Sequence, residues 1–282
     1  MKKLKLLNFI PVIITAPAII LGIVAMYFNS ISSSIWIQNI IFYIVIAMIS
    51  YCVVCSKAKV VSSNLNSTYI VVSLVLLILT FISPSMEGVH RWVSLGIINL
   101  NISMIILPIM IVELWKLSQV KGLGVTLFLT IVISSILFIQ PDASQLTAFS
   151  IPMMIILCNR SDKKVFQLAI SIILTLLIIL SWIFLDGLAT VDYVENIVQL
   201  VANMGSVWLV VGVISLVLLP MPFIFFPIKE VKLLSICIGL YFLIILISTV
   251  FGNFPVPLMG YGISPIIGYF FAITWYTKSK IN

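Results

Sequence analysis

The sequence predicts an all-α protein that crosses a membrane about ten times and forms a single domain over residues 1–282. Composition is the first reason, because 62% of the residues are hydrophobic and 8% are charged, whereas roughly a quarter of an ordinary soluble domain is charged. The second reason is a series of apolar runs near the ~20 residues that span the bilayer core as a helix. The third is the placement of the basic residues between these runs.

Each predicted span is an apolar run between polar interruptions. The first run follows several lysines, as a signal peptide does, but it lacks an evident cleavage site and further runs follow, so we interpret it as a retained span. The predicted spans cover residues 8–28, 35–55, 69–83, 99–117, 124–139, 143–158, 165–185, 195–219, 231–251 and 264–277.

The basic residues orient these spans. If the N-terminus is cytoplasmic, every Lys and Arg except Arg91 falls in an inner segment, which is the positive-inside pattern. Both termini are therefore predicted to be cytoplasmic, and the net charge of +7 indicates contact with acidic membrane lipid and no nucleic-acid partner. The inner basic residues are Lys2, Lys3, Lys5, Lys57, Lys59, Lys116, Lys121, Arg160, Lys163, Lys164, Lys229, Lys232, Lys278 and Lys280.

The outer loops collect most of the acidic residues and the only histidine. A single carboxylate at a membrane face is ordinarily just solvated, but grouping at the ends of several spans favours chemistry on this face. The outer ionisable residues are Glu87, His90, Arg91, Asp142, Asp186, Asp192 and Glu195.

The sixth span is predicted to start at a polar interruption. Pro141 lacks an N–H group, and Asp142 can accept hydrogen bonds from the first helical turn. Gln145, three residues later, completes a pattern similar to a capping box. A simple helix cap explains this stretch as well as a functional site does.

A polar stripe is predicted on the eighth span. At 100° per residue its members lie within roughly 60° of a common direction, and polar groups at membrane depth must face protein or water. Either a hydrogen-bonded seam between helices or a substrate groove explains the stripe, and its two carboxylates favour the groove. The members are Asp192, Glu195, Asn196, Gln199, Asn203 and Ser206.

Three separated stretches resemble signatures of the SEDS family, which includes RodA, FtsW and SpoVE. They are residues 90–96 (HRWVSLG), 140–142 (QPD) and 254–264 (FPVPLMGYGIS), after the third span, after the fifth span and before the tenth. The family's ten-span plan, with both termini inside, also resembles the predicted topology.

The resemblance implies work on the bacterial cell wall. SEDS proteins polymerise the lipid-linked peptidoglycan precursor lipid II outside the cytoplasmic membrane, usually beside a class B penicillin-binding protein. We therefore expect a multi-pass protein of the bacterial cytoplasmic membrane that acts in peptidoglycan synthesis for cell division or cell shape. The expected partners are membrane lipid, the lipid-linked precursor, and a class B penicillin-binding protein or other division and elongation proteins.

General-base catalysis is the chemistry that such a site needs. Transfer to a sugar hydroxyl requires a base, and a carboxylate partly removed from water has a pKa raised toward that task. Asp192 is the first candidate, because Asp192-Tyr193-Val194 resembles the end of the family's catalytic loop, and Glu195 is the second. The candidate substrate-binding residues are Arg91, Trp92, Gln140, Asp142, Gln199, Asn203 and Tyr261.

Two departures from the family's pattern leave the enzymatic status open. A Glu and a Lys of the family are replaced by Met104 and Leu107, while Glu113 and Lys116 lie about two turns or more further toward the cytoplasm. The outer loop that carries the family's catalytic Asp is shortened to residues 186–195.

The leaving group adds a requirement for positive charge. A lipid diphosphate needs cations, yet the outer face offers only Arg91, so an enzyme is expected to use Mg²⁺ or Mn²⁺, held in part by Asp142. A non-catalytic scaffold or binder of a lipid-linked intermediate would need no such cation. A lipid transporter is a third alternative, for which Pro108 and Pro152 would be broken-helix features.

Overall fold

The computed structural model describes residues 6–56, 65–96 and 98–281. Within them the chain forms twelve α-helices and one antiparallel hairpin of β1 (Trp92–Leu95) and β2 (Ile98–Asn101). The helices are α1 (Ile10–Phe28), α2 (Ser33–Cys55), α3 (Ser67–Leu79), α4 (Ile102–Val120), α5 (Leu123–Ile139), α6 (Ala143–Arg160), α7 (Lys164–Ile183), α8 (Ile197–Asn203), α9 (Ser206–Val217), α10 (Met221–Phe225), α11 (Lys232–Phe251) and α12 (Ile263–Ile281).

Several of the helices have the length and composition of membrane spans. Apolar side chains stay exposed along α2, α7 and α9, and such faces are stable only against lipid. The protein is thus a polytopic helical membrane protein. Among the described residues, five helical stretches are long and apolar enough to cross a membrane by themselves: Leu7–Phe28, Ser33–Cys55, Ile102–Val120, Lys164–Ile183 and Lys229–Phe251.

The predicted eighth span, residues 195–219, is not one helix. It breaks between α8 and α9 at Gly205, whose φ of 127° is a conformation that favours glycine. Residues 192–196 form turns before α8 begins at Ile197. The predicted stripe on a continuous helix is therefore wrong, because helical periodicity does not apply across the turns and the break.

Two other predicted boundaries also need correction. The third helix ends at Leu79, short of the predicted span over residues 69–83. In the predicted fourth span, residues 99–117, the first residues belong to β2, and α4 begins only at Ile102. Asn101 is its N-cap, because the Asn101 side chain accepts a hydrogen bond from the backbone N–H of Met104 at 3.2 Å.

The helices α4, α6, α11 and α12 form the centre of the bundle. Fully buried side chains such as Met110, Phe149 and Tyr241 pack between them. At Gly268 the axis of α12 lies so close to α4 that a Cβ atom would overlap the carbonyl group of Met104. This tight centre fixes the ends of the helices, and the polar loops extend from those ends.

Contacts between helix ends agree with the predicted alternation of the spans. At one end, called the inner end here, Lys278 of α12 donates to the carbonyl of Val53 near the end of α2 at 3.0 Å. At the opposite or outer end, Asn29 after α1 donates to the carbonyl of Leu200 in α8 at 3.3 Å. The orientation of these ends in a bilayer stays a prediction. Lys2, Lys3, Lys5, Lys57 and Lys59, which contributed to it, lie outside the described residues.

A buried ion pair lies toward the inner end of α4. Lys116 Nζ is 2.8 Å from Glu113 Oε1, and Glu113 Oε2 accepts from the backbone N–H of Asn66 at 2.8 Å. Both side chains are less than 10% exposed. The pair joins α4 to the start of α3 and lies in the inner half, away from Met104 and the outer loops.

Candidate functional site

The outer end contains a cavity of about 380 Å³, called the outer cavity here. One wall is the β-hairpin with the start of α4, and the facing walls are the α7–α8 loop and the α11–α12 loop. Trp92, Glu195 and Tyr261, all predicted as site residues, line this cavity together. Its other polar lining residues are Asn99, Asn101, Tyr193 and Ser264.

Among the described residues that line the outer cavity, Glu195 is the only acidic one. Its side chain is half-buried, and its Oε2 atom accepts from the backbone N–H of Val191 at 2.8 Å. Burial raises the pKa of Glu195, while hydrogen bonds from the backbone N–H groups and the charge of Arg91 oppose the rise. The environment therefore moves this carboxyl toward the range of a general base.

The backbone beside Glu195 is paired with the α11–α12 loop. The carbonyl of Val194 accepts from the N–H of Val256 at 3.1 Å, and the carbonyl of Tyr193 accepts from the N–H of Tyr261 at 2.8 Å. Gly260 allows this approach, because a Cβ atom there would lie 2.5 Å from the carbonyl oxygen of Val194. These contacts fix the turn that presents Glu195.

The α11–α12 loop is itself anchored by α2. The Tyr261 hydroxyl donates to Gln38 Oε1 at 2.7 Å. Buried Asn39 donates to the carbonyl of Gly260 and accepts from the N–H of Gly262, both at 3.3 Å. Since the Asn39 side chain satisfies both an acceptor and a donor of the loop, the segment from Gly260 to Gly262 is held against α2.

Arg91 lies beside the outer cavity in a buried polar cluster. It is 4% exposed, donates to the carbonyls of Gln140 (3.3 Å) and Pro141, and pairs with two carboxylates. Asp186 binds its Nη2 atom directly, and Asp142 Oδ2 lies 3.8 Å from its Nε atom. We call Arg91, Asp142 and Asp186 the Arg91 cluster.

Gln140 and Asp142 have structural partners. Gln140 is fully buried and donates to Thr80 Oγ1 at 2.7 Å. Asp142 is the N-cap of α6, as predicted, and accepts from the backbone N–H of Gln145 at 3.2 Å. A full capping box also needs a hydrogen bond from the backbone N–H of Asp142 to the Gln145 side chain. Here the Oε1 atom of Gln145 instead accepts from the hydroxyl of Tyr241 at 2.6 Å, and the N–H of Asp142 donates to the carbonyl of Leu137.

Asp142 does not fit the expected divalent cation. Its carboxylate is 2% exposed, caps α6, accepts from Ser103 Oγ at 3.3 Å and faces Arg91. A guanidinium therefore already occupies the cationic position beside it. Over residues 6–56, 65–96 and 98–281, no three Asp, Glu, His or Cys side chains come together as a metal site.

The remaining predicted site residues lie away from the outer cavity. Asp192 is exposed and accepts from Asn196 Nδ2 at 3.2 Å. Gln199 is exposed on α8. Asn203 lies in a separate groove with Phe28 and Trp208, between the ends of α1 and α9. The turns before α8 thus direct Glu195 toward the cavity and Asp192 toward solvent.

Two solved structures share this arrangement of helices. The crystal structure of the Thermus thermophilus rod shape determining protein RodA matches with a TM-score of 0.68, at 15% identity, over 95% of this chain and 96% of that chain. A structure of a point mutant of that protein matches with a TM-score of 0.69, at the same identity and coverage. The chain has a RodA-like fold. No family model matches the sequence, and no curated protein matches it either.

The RodA-like fold confirms the predicted all-α, polytopic fold class, and it agrees with the SEDS resemblance at the level of fold. At 15% identity the likeness concerns the fold alone. The site residues therefore depend on the geometry of this chain, in which Trp92, Glu195 and Tyr261 meet around one cavity.

Asn101, Ser264 and Asp186 were not among the site residues predicted from the sequence, although Asp186 was counted among the outer ionisable residues and Ser264 ends the third SEDS-like stretch. Asn101 lines the cavity and caps α4, and its backbone N–H donates to Ser264 Oγ at 2.8 Å. The sequence does contain a signal for Asn101, since an Asn directly before an apolar run is a typical N-cap. Asp186 had no comparable local signal, because its partner Arg91 lies 95 positions earlier in the chain.

Proposed function

We propose that this protein is a SEDS-like protein of the bacterial cytoplasmic membrane, that it acts in peptidoglycan synthesis for division or cell shape, and that its outer cavity handles a lipid-linked peptidoglycan precursor. The proposal is supported by the RodA-like fold together with the three SEDS-like stretches. Two of these stretches contribute Trp92 and Tyr261 to the cavity.

We further propose glycosyl transfer with Glu195 as the general base. The observation that carries this step is a half-buried carboxylate with a raised pKa facing a cavity of about 380 Å³. Asp192, the first candidate by sequence, is exposed to solvent. A carboxylate that is partly removed from water has a raised pKa, and a raised pKa suits a general base that takes the proton of a sugar hydroxyl.

In the proposed step, the hydroxyl oxygen of the acceptor sugar attacks the anomeric carbon of the donor sugar. Glu195 takes the hydroxyl proton as the new carbon–oxygen bond forms. The bond between the anomeric carbon and the lipid diphosphate breaks, and the diphosphate leaves with its bonding electron pair. Trp92 and Tyr261 would hold the sugar against Glu195 by stacking and hydrogen bonding.

A non-catalytic role as a scaffold or binder is the second candidate. The observation that favours it is the absence of Lys and Arg from the described lining of the outer cavity. Arg91, the outer cation, already binds Asp186 and two backbone carbonyls. Without a cation for the diphosphate, the site could bind a lipid-linked sugar and not turn it over.

The test is polymerisation of lipid II by the purified protein in liposomes, with and without Mg²⁺ or Mn²⁺ and with a class B penicillin-binding protein present or absent. Glu195→Gln keeps the size of the side chain and removes the base, so it is expected to reduce the rate by at least ~10²-fold. Asp192→Asn is the matched control and is expected to keep the wild-type rate.

Three outcomes decide between the candidates. Wild-type turnover that falls only in Glu195→Gln supports catalysis by Glu195. Polymerisation undiminished in an Asp192→Ala, Glu195→Ala double variant would remove both candidate bases and contradict the proposed chemistry. Precursor binding without turnover, under every cation and partner condition, would favour the scaffold.

A further inference from the structure

We infer that Arg91 and Asp186 are positioning residues whose ion pair holds the α7–α8 loop against the β-hairpin and thereby fixes Glu195 in the wall of the outer cavity. The inference rests on the proposed function for its effect on turnover. Its structural part, an ion pair beside the cavity that braces the α7–α8 loop, is independent of any reaction.

The contacts of Arg91 join three elements. Arg91 directly precedes Trp92, the first residue of β1, and its backbone carbonyl accepts from the N–H of Ile102 at the start of α4. Its guanidinium reaches the α5–α6 turn through the carbonyls of Gln140 and Pro141. The third contact, with Asp186, is the one that reaches the α7–α8 loop.

Asp186 is placed to transmit this restraint. Its side chain is 11% exposed, and its second oxygen, Oδ1, accepts from the backbone N–H of Leu188 at 3.1 Å. One oxygen therefore holds Arg91 while the other shapes the loop that follows. Residues 189 and 190, which connect this anchored start to the Glu195 turn, are exposed.

The Glu195 turn is thus held from two sides. Its far side is paired with the α11–α12 loop through the carbonyls of Tyr193 and Val194. Its near side depends on Asp186, since the described residues 187–190 form neither a helix nor a strand. Loss of the ion pair would leave the Glu195 turn of the α7–α8 loop held only by its pairing with the α11–α12 loop.

The buried contacts also argue against Arg91 as a free phosphate ligand. Arg91 is 4% exposed, two of its nitrogen atoms already donate to protein oxygens, and it is absent from the described lining of the cavity. A guanidinium held by a carboxylate and two carbonyls is saturated in the directions that those groups occupy. Its contribution to the site is therefore geometric and electrostatic.

The charge of the pair acts on Glu195 as well. The charged groups that influence the pKa of Glu195 are Arg91, which lowers it, and Asp186, which raises it. The neighbouring cavity group Tyr261 is neutral at physiological pH, because burial raises its pKa above the ordinary value. Removing either member of the pair should therefore shift the acidic limb of the activity profile, and the two shifts should have opposite signs.

The first experiment measures loop mobility without any substrate. A spin label is placed at Ala189→Cys in a variant whose four native cysteines are replaced, in liposomes, and its electron paramagnetic resonance spectrum is recorded. Asp186→Asn and Arg91→Gln should each increase the mobility of the label, and combining them should add little, because both remove the same contact. Glu87→Gln, which removes another outer carboxylate, should leave the spectrum unchanged.

The second experiment measures lipid II polymerisation against pH. Asp186→Asn should lower the rate on the order of 10- to 10²-fold through misplacement of Glu195 and move the acidic limb to lower pH, whereas Arg91→Gln should move it to higher pH. Glu87→Gln should do neither. If the label is as immobile in both variants as in the parent protein, the ion pair does not hold the α7–α8 loop and the inference is overturned. If the label becomes mobile in both variants but the wild-type protein does not polymerise lipid II, the structural role of the ion pair holds and the proposed chemistry fails.

Discussion

At the scale of single residues, a buried lysine caps the C-terminal, inner end of α2. Lys278 is 2% exposed, and its Nζ atom donates to the carbonyls of Val53 (3.0 Å), Val54 (3.1 Å) and Ser56. The last carbonyls of a helix lack intrahelical partners and carry partial negative charge, so a cation stabilises them. This contact also joins the last helix of the bundle to the second.

Lys278→Met should therefore destabilise the protein. The change keeps the apolar stem but removes charge-assisted hydrogen bonds, each worth about 1.5–3 kcal/mol, including the one to the carbonyl of buried Val54. Thermal unfolding in detergent should show a clear fall in Tm. Lys280→Met is the control, because Lys280 is exposed and donates to a single carbonyl, that of Pro227. Equal Tm values for the two variants would contradict the capping role.

The predicted site residues differ in whether their positions depend on helical periodicity. Trp92 and Tyr261, which come from the SEDS-like stretches, line the outer cavity, and their role in substrate binding stays a prediction. Asp192, Gln199 and Asn203 were grouped with Glu195 by a 100° rotation per residue, which holds only in a continuous helix. The turns before α8 exchange the roles expected for Asp192 and Glu195, and nothing in the local sequence determines which carboxylate faces inward.

At the scale of elements, the α7–α8 and α11–α12 loops act as one unit. Their backbones pair through two hydrogen bonds, and Gly260 leaves room for the carbonyl of Val194. A glycine close to a membrane span is typical of close packing between helices. The structure places Gly260 against another loop instead, and a Cβ atom at Gly262 would contact only the ring of Pro265, at 3.1 Å.

Gly260→Ala should consequently impair the site more than Gly262→Ala. The added Cβ atom would lie 2.5 Å from the carbonyl oxygen of Val194 and 3.0 Å from that of Val256, so the backbone beside Glu195 must move. A displacement near 1 Å can reduce catalysis about 10²-fold, and lipid II polymerisation at matched membrane levels is the measurement. A larger loss in Gly262→Ala than in Gly260→Ala would contradict this account of the loops.

The elements themselves were predictable to different degrees. Long apolar runs gave the positions of α1, α2 and α11 closely, because a span needs about 20 apolar residues whatever its neighbours are. The break at Gly205 was harder to predict, since a glycine within an apolar run is common in membrane helices. The β-hairpin was missed because the apolar run from residue 99 was assigned to the fourth span, although Gly96, with a φ of 65°, is a local turn signal between β1 and β2.

At the scale of the whole molecule, composition and charge determine the class of the protein, and tertiary contacts determine the site. The fold class follows from 62% hydrophobic residues and the alternation of basic segments. The contacts that assemble the outer cavity join residues far apart in sequence, such as Arg91 with Asp186 and Tyr261 with Gln38. No periodicity or local motif encodes such pairs.

We propose that the outer cavity receives a lipid-linked peptidoglycan precursor, whether or not the precursor is turned over. The most direct measurement is photocrosslinking to radiolabelled lipid II in liposomes, with p-benzoylphenylalanine in place of Trp92 in the cavity or in place of Trp115 on α4, toward the inner end and outside the cavity. The account predicts a lipid II adduct at position 92 that excess unlabelled lipid II abolishes, and little at position 115. Equal adducts at the two positions, or an adduct at position 115 alone, would contradict it.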